Sequence, residues 1–406
     1  MNQPAPNLSD TLEGLNQLVN EGIVGVNDVV EAMHKTIANR SLLSPRRDTH
    51  VTPLLPGLAY ASVRTITRLV GQSIDVPLKL ARPYMQHKQL PDAWQHLISA
   101  LNGVLGDHLV AQQNPLAIPM GFYRDGKAFE IDALRAELKQ KQGKLLLLVH
   151  GLCMNDIAWQ RQGHDHGQAL AEALGYVPIY LRYNSGRHIS ENGRELSLQL
   201  ERLLTDLDLP VELSILCHSM GGLVTRSACH VAKNASEQGD THGGTANWRA
   251  HLKHLVFLGS PHHGAPLERI GNIIDRLLIA TPYSAPLSKL GKVRSAGVTD
   301  LRYGYLLDED WQHSDRFDKH NPAQRTPVPL PRDVACYTVA TTTASQGKPD
   351  LLGDGLVPLN SALGRHKDAR FNLEFAEEHC WTGYGIHHLD LLNHPEVLQA
   401  LMAWLK

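Results

Sequence analysis

Apolar residues along the first third of the chain keep a helical rhythm. Leu8, Leu12, Leu15, Val19, Val26, Val29, Met33 and Ile37 recur mostly at three- and four-residue steps, a spacing that lines one side of a helix. Gly22 and Gly25 interrupt that stripe and mark a bend or a split. A second stripe runs through Leu54, Leu58, Ile66, Leu69 and Val70. A third runs through Trp94, Leu97, Ile98, Leu101, Leu105 and Leu109. Pro53, Pro56, Pro83 and Pro91 punctuate them as boundaries. Residues 1–113 therefore read as an N-terminal helical region. Its stripes serve packing or contact with a membrane surface or partner. Packing is the better reading, because the polar sides are not rich in Lys and Arg as interfacial helices are.

Near Pro119 the period changes. In "GFYRDGKAFEI" the pair Asp125-Gly126 sits between short apolar and aromatic runs, a hairpin signal because glycine readily takes positive φ. Strands and helices then alternate. "KLLLLVHG", "YVPIYLRYNSG", "VELSILCHS" and "HLVFLGSPHHG" read as strands, with "DVACYTVATTT" and "RFNLEFAEE" following. Helices are expected over residues 168–174, 195–204 and 223–233. Near-continuous apolar strands between helices predict an α/β domain over 114–406, a mostly parallel sheet covered on both faces. Between Ala265 and Pro331 the alternation lapses into a proline-rich stretch with short helical pieces, the pattern of a cap or lid inserted over such a sheet.

Composition narrows the setting. The 406 residues are 42% hydrophobic and 20% charged, with a formal net charge of -2; this is a globular balance, with no field to draw in nucleic acid. Five scattered cysteines, without a CxxC pair, point to buried thiols in a reducing compartment. "MNQPAPNLSD" lacks the basic and apolar parts of a secretory signal. No apolar run approaches the roughly 20 residues of a membrane-spanning helix. A soluble cytoplasmic protein is the expectation.

The chemistry centres on "LSILCHSMGGL". A serine hydroxyl becomes a useful nucleophile only beside a base that a third group holds in place. It must also sit on a sharp strand-to-helix turn, and small neighbours let that turn form. Ser219 has a strand before it, a helix after it and Gly221 two residues on. The N–H of Met220 then lies at the helix N-terminus, where it can face a developing oxyanion.

"CHSMGG" resembles the nucleophile elbow G-x-S-x-G of the α/β-hydrolase superfamily, with Cys217 where the first glycine stands. "LLLLVHGL" resembles the superfamily's His-Gly strand end, which implies that the Leu152 N–H joins that of Met220 in an oxyanion hole. "LLGDGLVPL" is similar to the acid loop of its lipases and esterases, which implies Asp354 as the carboxylate, with Asp350 as fallback. "GYGIHHLDLLNHPEV" offers His387, His388 and His394. The resemblance favours His388, directly before "LDLL", with His387 as the close alternative and His394 as a helix-flanking residue. Ser219, Asp354 and His388 follow in the order this fold requires.

"FLGSPHHGAPLERIGN" and "HHLDLLNHPEV" further resemble a bacterial branch of lipase-type hydrolases related to the GPI-inositol-deacylase-like group. The resemblance covers residues from Lys144 onward and implies hydrolysis of a small-molecule or lipid ester without a cofactor. His262 and His263, adjacent in sequence, lack the i, i+4 spacing of a helical metal pair, so no metal is expected. Asn184, His150 and His218 are candidates for lining the substrate pocket. Acyl transfer, thioester or amide cleavage by the same residues, and an idle hydrolase-like scaffold that binds a membrane or partner, stay open as alternatives.

Overall fold

The computed structural model describes residues 7, 9–19, 91–237, 248–266, 295–312, 325–348 and 353–406. The chain divides into two compact units, one of Met1–Pro4, Pro91–Ala111 and Ala117–Lys406, the other of Ala5–Leu90 and Gln112–Leu116. In the second unit residues 9–19 are helical, as the first stripe predicts, and Asn114 Nδ2 donates to the Gly14 carbonyl at 3.1 Å. The rest of the first stripe and all of the second lie outside the described residues.

The larger unit is built on seven strands: β1 (Gly121–Tyr123), β2 (Lys144–Val149), β3 (Val177–Arg182), β4 (Glu212–His218), β5 (Leu252–Leu258), β6 (Ala335–Thr342) and β7 (Cys380–Tyr384). They form one sheet in the order β1-β3-β2-β4-β5-β6-β7. Only β1 runs antiparallel, against β3; every other pair is parallel. This is the α/β-hydrolase architecture that the motifs imply. Leu145 through Val149 are each fully buried, because a central parallel strand has a packed layer on both faces. Side chains alternate between those layers. Leu146, Leu148, Leu216, Val256, Leu258 and Val339 face one core with Leu170, Val397 and Leu401. These last three come from helices α3 (His166–Leu174) and α8 (Pro395–Trp404). On the other side α4 (Ile189–Leu207) packs along α5 (Met220–Glu237).

Local chemistry sets the element ends. Asp165 caps α3, its Oδ1 accepting from the amides of Gly167 and Gln168 at 2.7 and 3.1 Å, which satisfies N–H groups the helix leaves unpaired. Gly175, at φ 74°, closes the same helix in the left-handed conformation.

Three expectations change. Asp125 and Gly126 do form a tight turn, at φ 49° and 72°, but it closes a single bridge between Arg124 and Lys127. No return strand follows, because α2 (Ile131–Gln140) begins there and β1 finds its partner in β3. "RFNLEFAEE" is not a strand. Its alternation reflects Leu373 packing beneath Gly364 and Phe375 against Phe257, while the last strand is the half-exposed "CWTGY" of β7.

The division at residue 113 also moves. Helix α1 (Asp92–Ala111) belongs with the sheet, since Asn184 Nδ2 donates to the Gly106 carbonyl at 3.0 Å and Ser295 Oγ to that of Gly103 at 2.7 Å. The change of period near Pro119 marks a change of element type, not of packing partner. Of the expected cap, 265–331, residues 267–294 and 313–324 lie outside the described residues. Among those described are helix α6 (Ala296–Tyr303) and the irregular segment 325–331. No helix among the described residues is long and apolar enough to cross a membrane.

Candidate active site

The sequence-predicted groups meet at the carboxyl ends of the parallel strands, where open α/β sheets gather their reactive residues. Strand β4 ends at His218, α5 begins at Met220, and Ser219 between them takes φ 54°. A non-glycine residue there costs of the order of 1 kcal/mol or more, so the surroundings must impose it. The Ser219 amide donates to the Leu258 carbonyl at 2.9 Å, and the Gly222 amide to the Ser219 carbonyl at 3.1 Å. Gly221 is needed because a Cβ there would lie 2.5 Å from the Val149 carbonyl oxygen and 2.6 Å from that of His150. Cys217 fits where the superfamily has glycine. Its thiol is fully buried and meets Thr225 Oγ1 at 3.1 Å, and that hydroxyl donates back to the Gly221 carbonyl at 2.9 Å.

Asp354 follows β6 and His388 follows β7, and the two are in contact. His388 Nδ1 donates to Asp354 Oδ2 at 2.7 Å, and the His388 amide donates to the Asp354 carbonyl at 3.0 Å. The other carboxylate oxygen accepts from the amides of Leu356 and Val357 at 3.0 and 2.8 Å. With the proton on Nδ1, the second ring nitrogen of His388 keeps its lone pair; it is buried without a hydrogen-bond partner among the described residues. His387 is exposed, and His394 flanks the N-terminus of α8. Asp350 lies outside the described residues.

The imidazole and the serine turn are tied together. His218, directly before Ser219, lies 4.7 Å from the His388 ring between centroids. Its Nε2 donates to the His388 carbonyl at 3.1 Å. Burial holds the His218 pKa well below the usual histidine value, so it acts as a neutral donor. Ser219, Asp354 and His388 are only 3%, 2% and 4% exposed.

The loop after β2 approaches the same point. A Cβ on Gly151 would sit 3.0 Å from that of Ser219. Among the described residues the amides of Leu152 and Met220 meet no acceptor, so both are available to an oxyanion. The loop is held in an unusual shape: Cys153 has φ 61°, and its amide donates to Ser185 Oγ at 3.0 Å.

Two of the candidate pocket residues have other duties. His150 stacks on Tyr183 at 4.3 Å, its Nδ1 donates to the Gly151 carbonyl at 2.8 Å, and its Nε2 accepts from the Tyr183 amide at 3.4 Å. Burial lowers its pKa to about 3, so it is a neutral strut for the loop. Asn184 donates to Gly106 and accepts from the Gly186 amide at 3.0 Å, fixing the turn after β3. Their polar ends are consumed by the frame, so neither offers the substrate contact expected of it. His218 keeps one buried nitrogen, Nδ1, without a partner among the described residues.

Several supports escape sequence reasoning. Gly259, at φ 56°, ends β5 where a Cβ would lie 3.1 Å from Asp354 Oδ2 and 3.2 Å from His388 Nδ1. His166 donates to the Leu391 carbonyl at 3.0 Å, and Arg161 pairs with Asp390 at 3.3 Å, which anchors the loop behind His388. The glycine in "FLGS" is a visible signal for the first; nothing local announces the others.

The profile of a family described as a domain of unknown function (DUF7379) matches residues 117–300. No curated protein is significantly similar to the chain in sequence. Among solved structures, the mature lipase BlEst2 of Bacillus licheniformis is similar at 17% identity over 64% of this chain and 92% of that one, with a TM-score of 0.39. EstA from Clostridium botulinum is similar at 12% identity over 65% and 87%, TM-score 0.37. The Staphylococcus hyicus lipase is similar at 14% identity over 64% and 92%, TM-score 0.34.

Proposed function

We propose that the protein is a serine hydrolase of carboxylic esters, with Ser219 as nucleophile, His388 as base and Asp354 as the carboxylate behind the ring. The observation that carries this reading is the His388–Asp354 contact, which fixes the tautomer: Nδ1 is bound to Asp354 at 2.7 Å, while Nε2 is buried with no partner among the described residues. A free lone pair on a fixed imidazole is what proton abstraction requires, and His218, directly before Ser219, holds the His388 carbonyl at 3.1 Å.

His388 takes the hydroxyl proton as Ser219 Oγ attacks the ester carbonyl. The tetrahedral oxyanion is met by the amides of Leu152 and Met220, each worth about 3 kcal/mol. The imidazolium then returns its proton to the departing alcohol oxygen, leaving an acyl group on Ser219. Water, deprotonated by the same ring, releases the acid and regenerates the hydroxyl. The substrate is a small-molecule or lipid ester with an apolar part. Kinship with the GPI-inositol-deacylase-like branch rests on the motifs "FLGSPHHGAPLERIGN" and "HHLDLLNHPEV". A cytoplasmic setting rests on the five cysteines, all unpaired.

A panel of p-nitrophenyl esters of increasing acyl length, run with and without a competing alcohol, tests the reading. The expected result is turnover with a preferred chain length and free acid as the main product. Transfer to the alcohol as the main product would make the protein an acyltransferase, and no turnover of any ester would overturn the assignment.

A further inference from the structure

A cavity lies beside Arg226 of α5, and Ser219 is not among the residues that line it. Its volume is about 220 Å³, and Arg226, His262, Arg325, Val328 and Phe371 are among its walls. Arg226 is 4% exposed. One of its terminal nitrogens donates to the Val328 carbonyl, and the other lies 3.5 Å from His262 Nδ1. Its Nε is buried with no acceptor among the described residues. Arg325 lies over the Phe371 ring at 4.5 Å and donates to His263 Nδ1 at 3.1 Å. Its contacts with the carbonyls of His262, Tyr303 and Gly304 are long, 3.3 to 3.5 Å.

Neither guanidinium has a carboxylate partner among the described residues. The groups that face Arg226 are Arg325 and the thiols of Cys229 and Cys336, which burial pushes up to about 12 and keeps neutral. Desolvation and the charge of Arg325 lower Arg226 itself to about 9, so it remains a cation near neutral pH. Asp310 is the carboxylate that acts on Arg325. Its oxygens are already taken by the amides of Thr326, Leu306 and Leu307, at 2.7, 2.9 and 3.0 Å. Arg370, on the wall, is exposed and neutralised by Asp368 at 2.7 Å. A buried charge without a counter-ion is costly, and a guanidinium fork matches the oxygens of phosphate and carboxylate. His262 adds a second buried donor: its neutral ring takes Arg226 at Nδ1, leaving Nε2 protonated and without a partner among the described residues. With about 30 Å³ per water as a measure, the space holds a tetrahedral oxyanion and several waters.

We propose that the cavity between Arg226, His262 and Arg325 is a binding site for a phosphate-type oxyanion, separate from the serine site and independent of the esterase reading. The test is titration calorimetry of the full chain with inorganic phosphate at low ionic strength, with a thermal melt in parallel. The expected result is one phosphate per chain and a melting temperature that rises with phosphate as mass action requires, but not with chloride at equal ionic strength. Arg325→Gln, at a half-buried position, weakens binding by about tenfold or more. Arg226→Lys, which keeps the charge but loses the fork, does the same, with circular dichroism as the check on folding. Displacement by glycerol 3-phosphate identifies a soluble phosphate monoester as the source. Displacement by phosphatidic acid vesicles identifies a lipid headgroup, and displacement by neither identifies the free ion. No phosphate binding in the millimolar range, or binding unchanged in both variants, overturns the proposal.

Discussion

Replacing Ser219 by alanine lowers ester turnover by a factor of about 10⁴ to 10⁶ while the fold persists. In the proposed mechanism the loss follows from removing the only atom of the elbow that bonds to substrate; the amides of Leu152 and Met220 remain and account for residual rate. Persistence of the fold follows from the backbone. The contacts that impose φ 54° on Ser219 run through its amide to Leu258 and its carbonyl to Gly222, and alanine keeps both. The hydroxyl is therefore not what holds the turn, and a change of more than about 1 kcal/mol in unfolding free energy is not expected. Steady-state kinetics with a short p-nitrophenyl ester, beside urea denaturation of both proteins, reads the two effects separately.

Asp354→Asn is the second large effect, and its cause is a tautomer. Asp354 Oδ1 accepts from the amides of Leu356 and Val357, and Oδ2 accepts from His388 Nδ1. An asparagine keeps its oxygen on the two loop amides and turns its NH₂ toward the ring. Nδ1 must then accept, the proton moves to Nε2, and the lone pair that would take the serine proton is gone. A drop in kcat of about 10⁴ is expected, with an unfolding transition close to that of the wild type because the loop amides stay paired. Activity within tenfold of wild type would remove Asp354 from the mechanism.

The sequence carried some of this plainly and concealed the rest for physical reasons. The central strands are legible because a parallel strand buried on both faces is apolar throughout, as Leu145 to Val149 are. Strand β7 is illegible for the opposite reason. It is an edge, partly exposed along most of its length, so nothing forces an apolar pattern on it. "RFNLEFAEE" misleads because alternation reports one buried face, and Leu373 and Phe375 supply that without any strand pairing. Around the serine, the elbow is local and can be read as a string. The supports are not. Gly259, His166 and Ser185 matter through what lies beside them in space, and a string does not say which polar group meets which. His150 and Asn184 illustrate the same limit, because each looks available in sequence and each is spent on the frame.

The proposed esterase chemistry requires one arrangement: a serine whose hydroxyl is activated by the fixed imidazole of His388. Incubation of the intact protein with a fluorophosphonate, followed by peptide mapping by mass spectrometry, tests it most directly. A single adduct on the peptide that carries Ser219, absent from Ser219→Ala and strongly slowed in His388→Ala, is the expected result. An adduct on any other residue, or none on a folded wild-type protein, would contradict the account.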